Sequence, residues 1–204
     1  MQDLKQAFEH RRSINFFDKT KGLSDQILKD IINLAVQCPS AFNLQPWQII
    51  AVKSEAAKQK LLPLAMNQQK VIEAPATLII VGDRAGYEPA NPAWTTMEEV
   101  AGKETVENSQ KFAYSLYGST EERKVKFAES NCGLLAMAIM YAAQYYGVES
   151  HAMNGVDFEG IKREFNLGPN QDVVMLIALG YFDQSKQLYP RLRRRGYSEI
   201  VKEV

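Results

Sequence analysis

The middle of this chain carries the segment that most constrains its fold. Residues 134–141 read Leu-Leu-Ala-Met-Ala-Ile-Met-Tyr, and we predict one long helix around them, from about Glu121 to Tyr146, which Gly147 ends. A helix that is apolar on every side is buried all round, either inside a domain or at a subunit interface. The longest apolar run, Gly133 to Ala143, falls well short of the ~20 residues that span a bilayer, so we expect no membrane segment.

Length and charge bound the class of protein. The 204 residues suit a single domain over 1–204, and the 24 Lys+Arg residues balance the 24 Asp+Glu residues. This balance excludes a nucleic-acid binder that works through bulk positive charge, and we expect no nucleic-acid partner. Two cysteines are too few for a disulfide framework, and neither has the spacing of a zinc site, so we expect no metal. The charged N-terminus lacks the apolar core of a signal peptide, so we expect a soluble, cytoplasmic protein.

Strand and helix patterns alternate along the chain, which indicates an α/β or α+β layered domain. We predict strands at 47–52, 75–81 and 173–179, and helices at 3–11, 24–38, 55–64, 121–146 and 157–165. Residues 84–120 have no clean period and are interpreted as a variable excursion. The sequence contains neither a Gly-x-Gly-x-x-Gly motif nor a Walker A loop. Any bound phosphate would therefore be held by other residues.

Basic residues cluster near both ends of the chain. Arg11, Arg12 and Ser13 follow the first helix, and two guanidiniums beside a hydroxyl can grip a phosphate or sugar hydroxyls. The alternative is a basic helix end stabilised by the helix dipole. In the tail, Arg191, Arg193 and Arg194 could also grip a phosphate, or could belong to a solvated basic run.

Two further segments present amide groups. In the loop 39–47, Ser40, Asn43 and Gln45 stand between two prolines and could meet a flat heteroaromatic edge, although an ordinary turn is equally consistent. Asn67 and Lys70 share a face if their segment is helical, where they could hold a carbonyl and a developing negative charge. A solvated helix face is the alternative for that pair.

The segment after residue 150 contains two candidates for contact with a ligand or substrate. Asn154-Gly155 could form a tight turn whose backbone N–H groups point at a ligand, and a plain Asn-Gly turn is the alternative. His151 could donate a proton, or could be structural.

The order of these motifs resembles the nitroreductase family of flavoproteins over residues 2–204. The resemblance rests on Arg-Arg-Ser-Ile near residue 12, Pro-Ser-Ala-Phe-Asn-Leu-Gln-Pro-Trp at 39–47, Asn-x-x-Lys before Ala74-Pro75, and Ala-Leu-Gly-Tyr at 178–181 before the basic tail. It implies an α+β, nitroreductase-like fold with a central, mostly antiparallel sheet flanked by helices. It also implies a homodimer with the helix 121–146 in its core, and FMN bound at the subunit interface.

The resemblance also implies roles for individual residues. Arg11, Arg12, Ser13, Arg193 and Arg194 would hold the FMN phosphate and ribityl chain, beside Asn15, which stands where the family often carries a cation. The partner subunit would supply Pro39, Ser40, Asn43 and Gln45. Asn67 and Lys70 would meet the pyrimidine edge of the flavin, and Asn154 and Gly155 would offer N–H groups to its N5 atom. Phe112, Tyr114 and Tyr117 would wall the acceptor pocket, and no side chain would act as a catalytic acid or base.

The implied activity is a ping-pong reaction in which NAD(P)H reduces FMN and an acceptor then reoxidises it. A nitroaromatic, a quinone or a similar conjugated acceptor is the first expectation. An enone, an aldehyde or free flavin is the alternative acceptor. A non-catalytic FMN-binding module and a basic-tailed interaction protein are alternatives of another class.

Overall fold

The structure is a computed structural model that describes residues 4–204. Its helices are α1 (Leu4–His10), α2 (Asp25–Ala35), α3 (Glu55–Leu64), α4 (Lys70–Glu73), α5 (Pro92–Ala101), α6 (Lys103–Ala113), α7 (Glu121–Tyr145), α8 (Phe158–Glu164) and α9 (Tyr197–Ile200). Its strands are β1 (Trp47–Val52), β2 (Ala76–Asp83), β3 (Glu149–Met153) and β4 (Gln171–Gly180). Residue 3, where we predicted that the first helix begins, lies outside the described residues.

The strands form one antiparallel sheet in the order β1-β2-β4-β3. The central strand β2 is buried from Ala76 to Gly82, because helices cover both faces of the sheet. Its register with β4 shifts between Ile80 and Val81. Helices flanking an antiparallel sheet confirm the predicted α+β class.

Alternating side chains of β2 serve two different cores. Ile79 and Val81 pack with residues of α3, α4 and α8 on one face. Leu78 and Ile80 pack on the other face with α2 and α7. Because successive side chains point to opposite faces and helices cover both faces, neighbouring positions of β2 are buried alike.

The helix α7 has the predicted length but is not buried all round within one chain. Leu135 and Ile139 are fully buried against the sheet, whereas Leu134 is 47% and Met137 is 39% exposed. Burial inside the domain therefore does not account for the apolar residues on the outer face of α7. Among residues 4–204, no helix is both long and apolar enough to cross a membrane.

The segment 84–120, which we interpreted as a variable excursion, is largely helical. It holds α5 and α6 and a π-helical turn, Tyr114–Gly118. Trp94 and Val106 from these helices pack with Leu44 and with Phe127 of α7 in a third, smaller core. The excursion is thereby fixed to α7 and to the loop 39–46.

Candidate functional site

A pocket of arginines lies where the chain leaves α1. The side chains around this cavity of about 180 Å³ come from Arg11, Arg12 and Ser13 and from the tail residues Pro190, Arg191, Leu192 and Arg194. Within the described part of the chain, no carboxylate forms an ion pair with any of these four guanidiniums. Their charge therefore remains available to an anion, and a cluster of guanidiniums matches a phosphate dianion.

Two of the arginines also fasten the tail to the start of the chain. The Arg191 guanidinium donates to the backbone oxygens of Glu9 and Arg11, at 2.7 and 3.0 Å. The Arg12 guanidinium donates to the backbone oxygen of Tyr189. These bonds bring residues about 180 positions apart in the chain into one pocket.

The structure does not bring Arg193 to this pocket. Its guanidinium makes a bidentate pair with the Glu199 carboxylate of α9, at 2.7 and 2.8 Å. Arg191 occupies the place in the pocket that the resemblance gave to Arg193, while Arg194 lines the cavity as expected.

The chain after the pocket runs alongside β3. Ser13 pairs with Ser150 as a parallel bridge, and the Ile14 N–H donates to the Ser150 oxygen at 3.1 Å. The half-buried Asn15 continues the same segment. Because the two segments are parallel, the pocket lies at the beginning of β3 and the pair Asn154-Gly155 follows its end, roughly 15 Å away at the usual rise of a strand.

His151 lies in the middle of β3 and is neutral. Its Nδ1 atom is 2.9 Å from the Ile14 oxygen, and a carbonyl can only accept, so Nδ1 carries the proton. Burial and, to a smaller extent, the nearby Lys70 ammonium lower the pKa of His151 to about 4. A neutral imidazole whose N–H is already engaged argues against the proton-donor alternative.

The pair Asn67 and Lys70 does not share a helical face. Lys70 begins α4, but Asn67 precedes it in a turn with a φ of 55°, so the helical premise of that prediction is wrong. A hydrogen-bond chain nevertheless places Lys70 beside the end of β3. The Lys70 ammonium donates to Gln68 Oε1 at 3.2 Å, and Gln68 Nε2 donates to the Gly155 oxygen at 3.1 Å.

The Lys70 charge is not neutralised by a neighbouring carboxylate. Its pKa is lowered by burial, an effect that Glu73 opposes. Glu73, however, forms its ion pair with Lys19 at 3.5 Å, and Lys70 forms none within residues 4–204. A half-buried ammonium without a counter-charge favours negative charge on a ligand.

Asn154 and Gly155 follow β3 without forming the predicted tight turn. Neither residue has a positive φ, which a two-residue Asn-Gly hairpin turn requires. Among the described residues, nothing accepts a hydrogen bond from either backbone N–H. Both residues are exposed and Gly155 is loosely surrounded, so their N–H groups are open to a ligand.

The loop 39–46 has a strained backbone. Phe42, Asn43 and Gln45 all have positive φ values, of 51°, 54° and 48°. Each such conformation costs about 1–3 kcal/mol and persists only where the surrounding structure holds it in place. Ser40 Oγ accepts from the Gln45 N–H at 3.0 Å, inside the loop.

A buried amide on α7 holds the start of this loop. Asn131 Oδ1 accepts from the Ala41 N–H at 2.8 Å, and Asn131 Nδ2 donates to the Phe127 oxygen at 2.7 Å. Sequence reasoning missed Asn131, although a polar residue directly before the apolar run 134–141 of the same helix is a signal. The side chains of Pro39, Asn43 and Gln45 are exposed, and no contact within the chain joins them to the arginine pocket over residues 4–204.

The three aromatic residues predicted to wall an acceptor pocket separate into two groups. Phe112 and Tyr117 lie against Phe42 of the strained loop, with ring centroids at 6.4 and 6.3 Å. Tyr114 instead lies against Tyr87 and lines a different cavity of about 400 Å³. Of these three residues, Phe112 and Tyr117 adjoin the loop and Tyr114 does not.

Comparisons with known proteins agree over the length of the chain. The nitroreductase family model matches residues 8–181. MhqN of Bacillus subtilis, which is named as an NAD(P)H nitroreductase, is 29% identical over 206 residues, covering 100% of this chain and 98% of MhqN.

Solved structures share the fold. The crystal structure of ydfN from Bacillus subtilis, described as a nitroreductase, has a TM-score of 0.91 at 28% identity and covers 98% of each chain. A protein of Exiguobacterium sibiricum, described as a nitroreductase in complex with FMN, has a TM-score of 0.86 at 24% identity, covering 99% of this chain and 97% of its own. The family match spans most of the chain, and the fold agrees with it. This chain therefore belongs to the nitroreductase family.

Proposed function

We propose that this chain is an FMN-dependent NAD(P)H oxidoreductase that reduces a nitroaromatic, a quinone or a similar conjugated acceptor. One observation carries the proposal. The arginine pocket, the uncompensated Lys70 ammonium and the open N–H groups of Asn154 and Gly155 follow one another along β3. That order suits a ligand with an anionic group at one end and a flat, hydrogen-bonding ring at the other.

The arginine pocket fits the phosphate of FMN. Arg11, Arg12, Arg191 and Arg194 would hold it, because guanidiniums bind phosphate through paired, charge-assisted hydrogen bonds. The exposed Ser13 lines the pocket and pairs with Ser150 of β3, where its hydroxyl can meet the sugar-alcohol chain.

Lys70 and the end of β3 fit the ring. When bound, FMN supplies the redox chemistry, taking a hydride from NAD(P)H and passing electrons to the acceptor in a ping-pong cycle. Lys70 would lie at the pyrimidine edge, where a cation stabilises the negative charge that reduction leaves. The N–H groups of Asn154 and Gly155 would donate to N5, and backbone donors make this contact independent of side-chain type.

We further propose that two copies of the chain complete the site. The apolar outer face of α7 carries Leu134, Met137 and Tyr145, next to the exposed Leu4 and Phe8 of α1. Such a face is expected to be covered, and a second copy would cover it.

The strained loop would then reach the partner's site. Asn43 and Gln45, exposed in one chain, would face the flavin of the partner, and Phe112 and Tyr117 behind Phe42 would wall the acceptor space. In this proposal residues 1–204 form one domain, in which α5 and α6 are the variable excursion.

Purified protein tests the proposal directly. We expect it to take up FMN, show a flavin absorption spectrum, and lose that colour when NADH or NADPH is added without oxygen. Protein that stays colourless after incubation with FMN would contradict the proposal. Protein that binds FMN but never bleaches would support the non-catalytic binding module instead. A panel of nitroaromatic, quinone, enone, aldehyde and flavin acceptors, given to the reduced enzyme, would identify the acceptor class.

A further inference from the structure

We propose that Gln68 is a positioning residue that ties the Lys70 ammonium to the Asn154-Gly155 segment and so fixes two cofactor contacts relative to each other. The inference rests on the proposed function, because Lys70 and this segment are the groups assigned to the two edges of the flavin ring. It goes beyond that function by giving a role to a side chain that would not itself have to touch the cofactor.

The geometry of the Gln68 amide carries the inference. Its Oε1 atom accepts from Lys70 Nζ at 3.2 Å, while its Nε2 atom donates to the Gly155 oxygen at 3.1 Å. An ammonium can only donate and a carbonyl can only accept, so these two partners fix the orientation of the amide. A glutamine can serve both at once, whereas neither a carboxylate nor an apolar side chain can.

Both groups depend on this bridge for their placement. Lys70 has a flexible four-carbon stem, and Gln68 is its hydrogen-bond acceptor in the described structure, where it forms no ion pair. The Gly155 carbonyl accepts from a side chain 87 positions away along the chain. The segment around it makes no other backbone hydrogen bond among residues 4–204 until Asp157. Without the bridge, the ammonium and the N–H groups would move independently.

Three substitutions separate this role from a general disturbance of the fold. Gln68→Met removes both hydrogen bonds at similar side-chain length. Gln68→Glu keeps an acceptor for Lys70, adds a counter-charge, and loses the donor to Gly155. Gln69→Met is the matched control, since the Gln69 side chain is exposed at the start of α4 and makes no capping hydrogen bond.

Two measurements on FMN-loaded protein test the role. The dissociation constant for FMN should rise about fivefold in Gln68→Met, as expected for the loss of one or two ordinary hydrogen bonds, and should stay near wild type in Gln69→Met. The flavin midpoint potential should fall most in Gln68→Glu, because the new carboxylate cancels the Lys70 charge that favours the reduced cofactor. A tenfold preferential loss of affinity for the reduced form corresponds to about 30 mV for two electrons.

A third measurement needs no cofactor. Amide hydrogen exchange at Asp157, whose N–H donates to the Leu64 oxygen at 2.7 Å at the end of the same segment, should be faster in the FMN-free Gln68→Met protein than in Gln69→Met, because the segment loses its tether.

The outcomes distinguish the two proposals. If wild-type protein takes up FMN but both Gln68 variants match Gln69→Met in affinity, potential and exchange, the positioning role is overturned while the proposed function stands. If wild-type protein takes up no FMN, the proposed function is overturned and the role toward the cofactor falls with it.

Discussion

Replacing Asn131 with leucine should loosen the strained loop at 39–46 without disturbing α7 itself. Asn131 is 4% exposed, and its amide is the link between the long helix and the start of the loop. Leucine has a similar volume, so it should fill the same space and leave no large cavity. What it removes is the acceptor for the Ala41 N–H.

The size of the effect follows from the two hydrogen bonds. The bond from Ala41 is worth about 1 kcal/mol net, and leaving its N–H unpaired in a partly buried place adds roughly 1 kcal/mol. The lost bond to the Phe127 oxygen costs little, because that carbonyl also accepts within α7. The free energy of unfolding should therefore fall by about 2 kcal/mol, or ~4–8 °C in Tm for a chain of this size.

Urea unfolding measures the free energy at a fixed protein concentration, which matters if the chain assembles. Ser130→Ala is the matched control. Ser130 is the neighbouring residue, and its hydroxyl contacts the same Phe127 oxygen at 3.3 Å, but it does not reach the loop. The control should change stability by less than about 0.5 kcal/mol.

The FMN affinity of Asn131→Leu should also fall, since Phe42, Asn43 and Gln45 keep their left-handed backbone only while the loop is held. The reasoning would be refuted by an Asn131→Leu protein as stable as Ser130→Ala. It would equally be refuted by a destabilised protein in which proteolysis and amide exchange of the loop are unchanged.

Other predictions concern the pocket, the buried histidine and the outer face of α7. Arg191→Ala should weaken FMN binding by about 10- to 100-fold, as for lost charge-assisted bonds, whereas Arg193→Ala should have little effect because Arg193 pairs with Glu199. Equal effects of the two substitutions in a fluorescence titration would contradict the placement. The pKa of His151 is about 4 in the fold against ~6.5 in an unfolded chain, so the unfolded state binds the extra proton between those values and stability falls as the pH falls through them. Between pH 7 and pH 4.5, the free energy of unfolding of His151→Gln should fall by about 1–2 kcal/mol less than that of the wild type, after allowance for solvent screening. The same fall for both proteins in urea unfolding would count against a neutral His151. Leu134→Glu should convert a dimer to monomers in analytical ultracentrifugation, because it places a charge on the outer apolar face. A wild-type monomer, or a dimer that tolerates the charge, would contradict that interface.

Local patterns were sufficient for the regular core. The strand at 47–52 was predicted with its observed bounds, because a run of apolar and β-branched residues is bounded by a proline loop and by Ser54. The long helix was predicted to within one residue of its end. These elements have one strong period or composition along their whole length.

Weak patterns explain what was missed. The helix α6 reads Lys-Glu-Thr-Val-Glu-Asn-Ser-Gln-Lys-Phe-Ala, and Val106 and Ala113 are its buried positions, too few for a clear period. The start of α5 did carry a signal, since Asn91 caps the helix and Pro92 is its first residue. The strand β3 reads Glu-Ser-His-Ala-Met and has no β-branched residue, so its pairing with β4 decides its conformation.

The residues of the candidate site likewise divide into those that local patterns predict and those that they do not. Arg11, Arg12 and Lys70 were predicted as site residues because motif order in the sequence marks them. The sequence alone does not predict which tail arginine enters the pocket. Arg191 and Arg193 are near neighbours of the same type, and only the pairing of Arg193 with Glu199 separates them. Contacts that join distant segments, such as that of Gln68 with Gly155, have no local signal at all.

A crystal structure of the protein grown with FMN would test the central claim most directly, because it would show the position of each end of the cofactor. We predict density for the phosphate among the guanidiniums of the arginine pocket and for the flavin ring between Lys70 and the backbone of Asn154 and Gly155. FMN bound elsewhere, or bound with its phosphate away from the arginine pocket, would contradict this account.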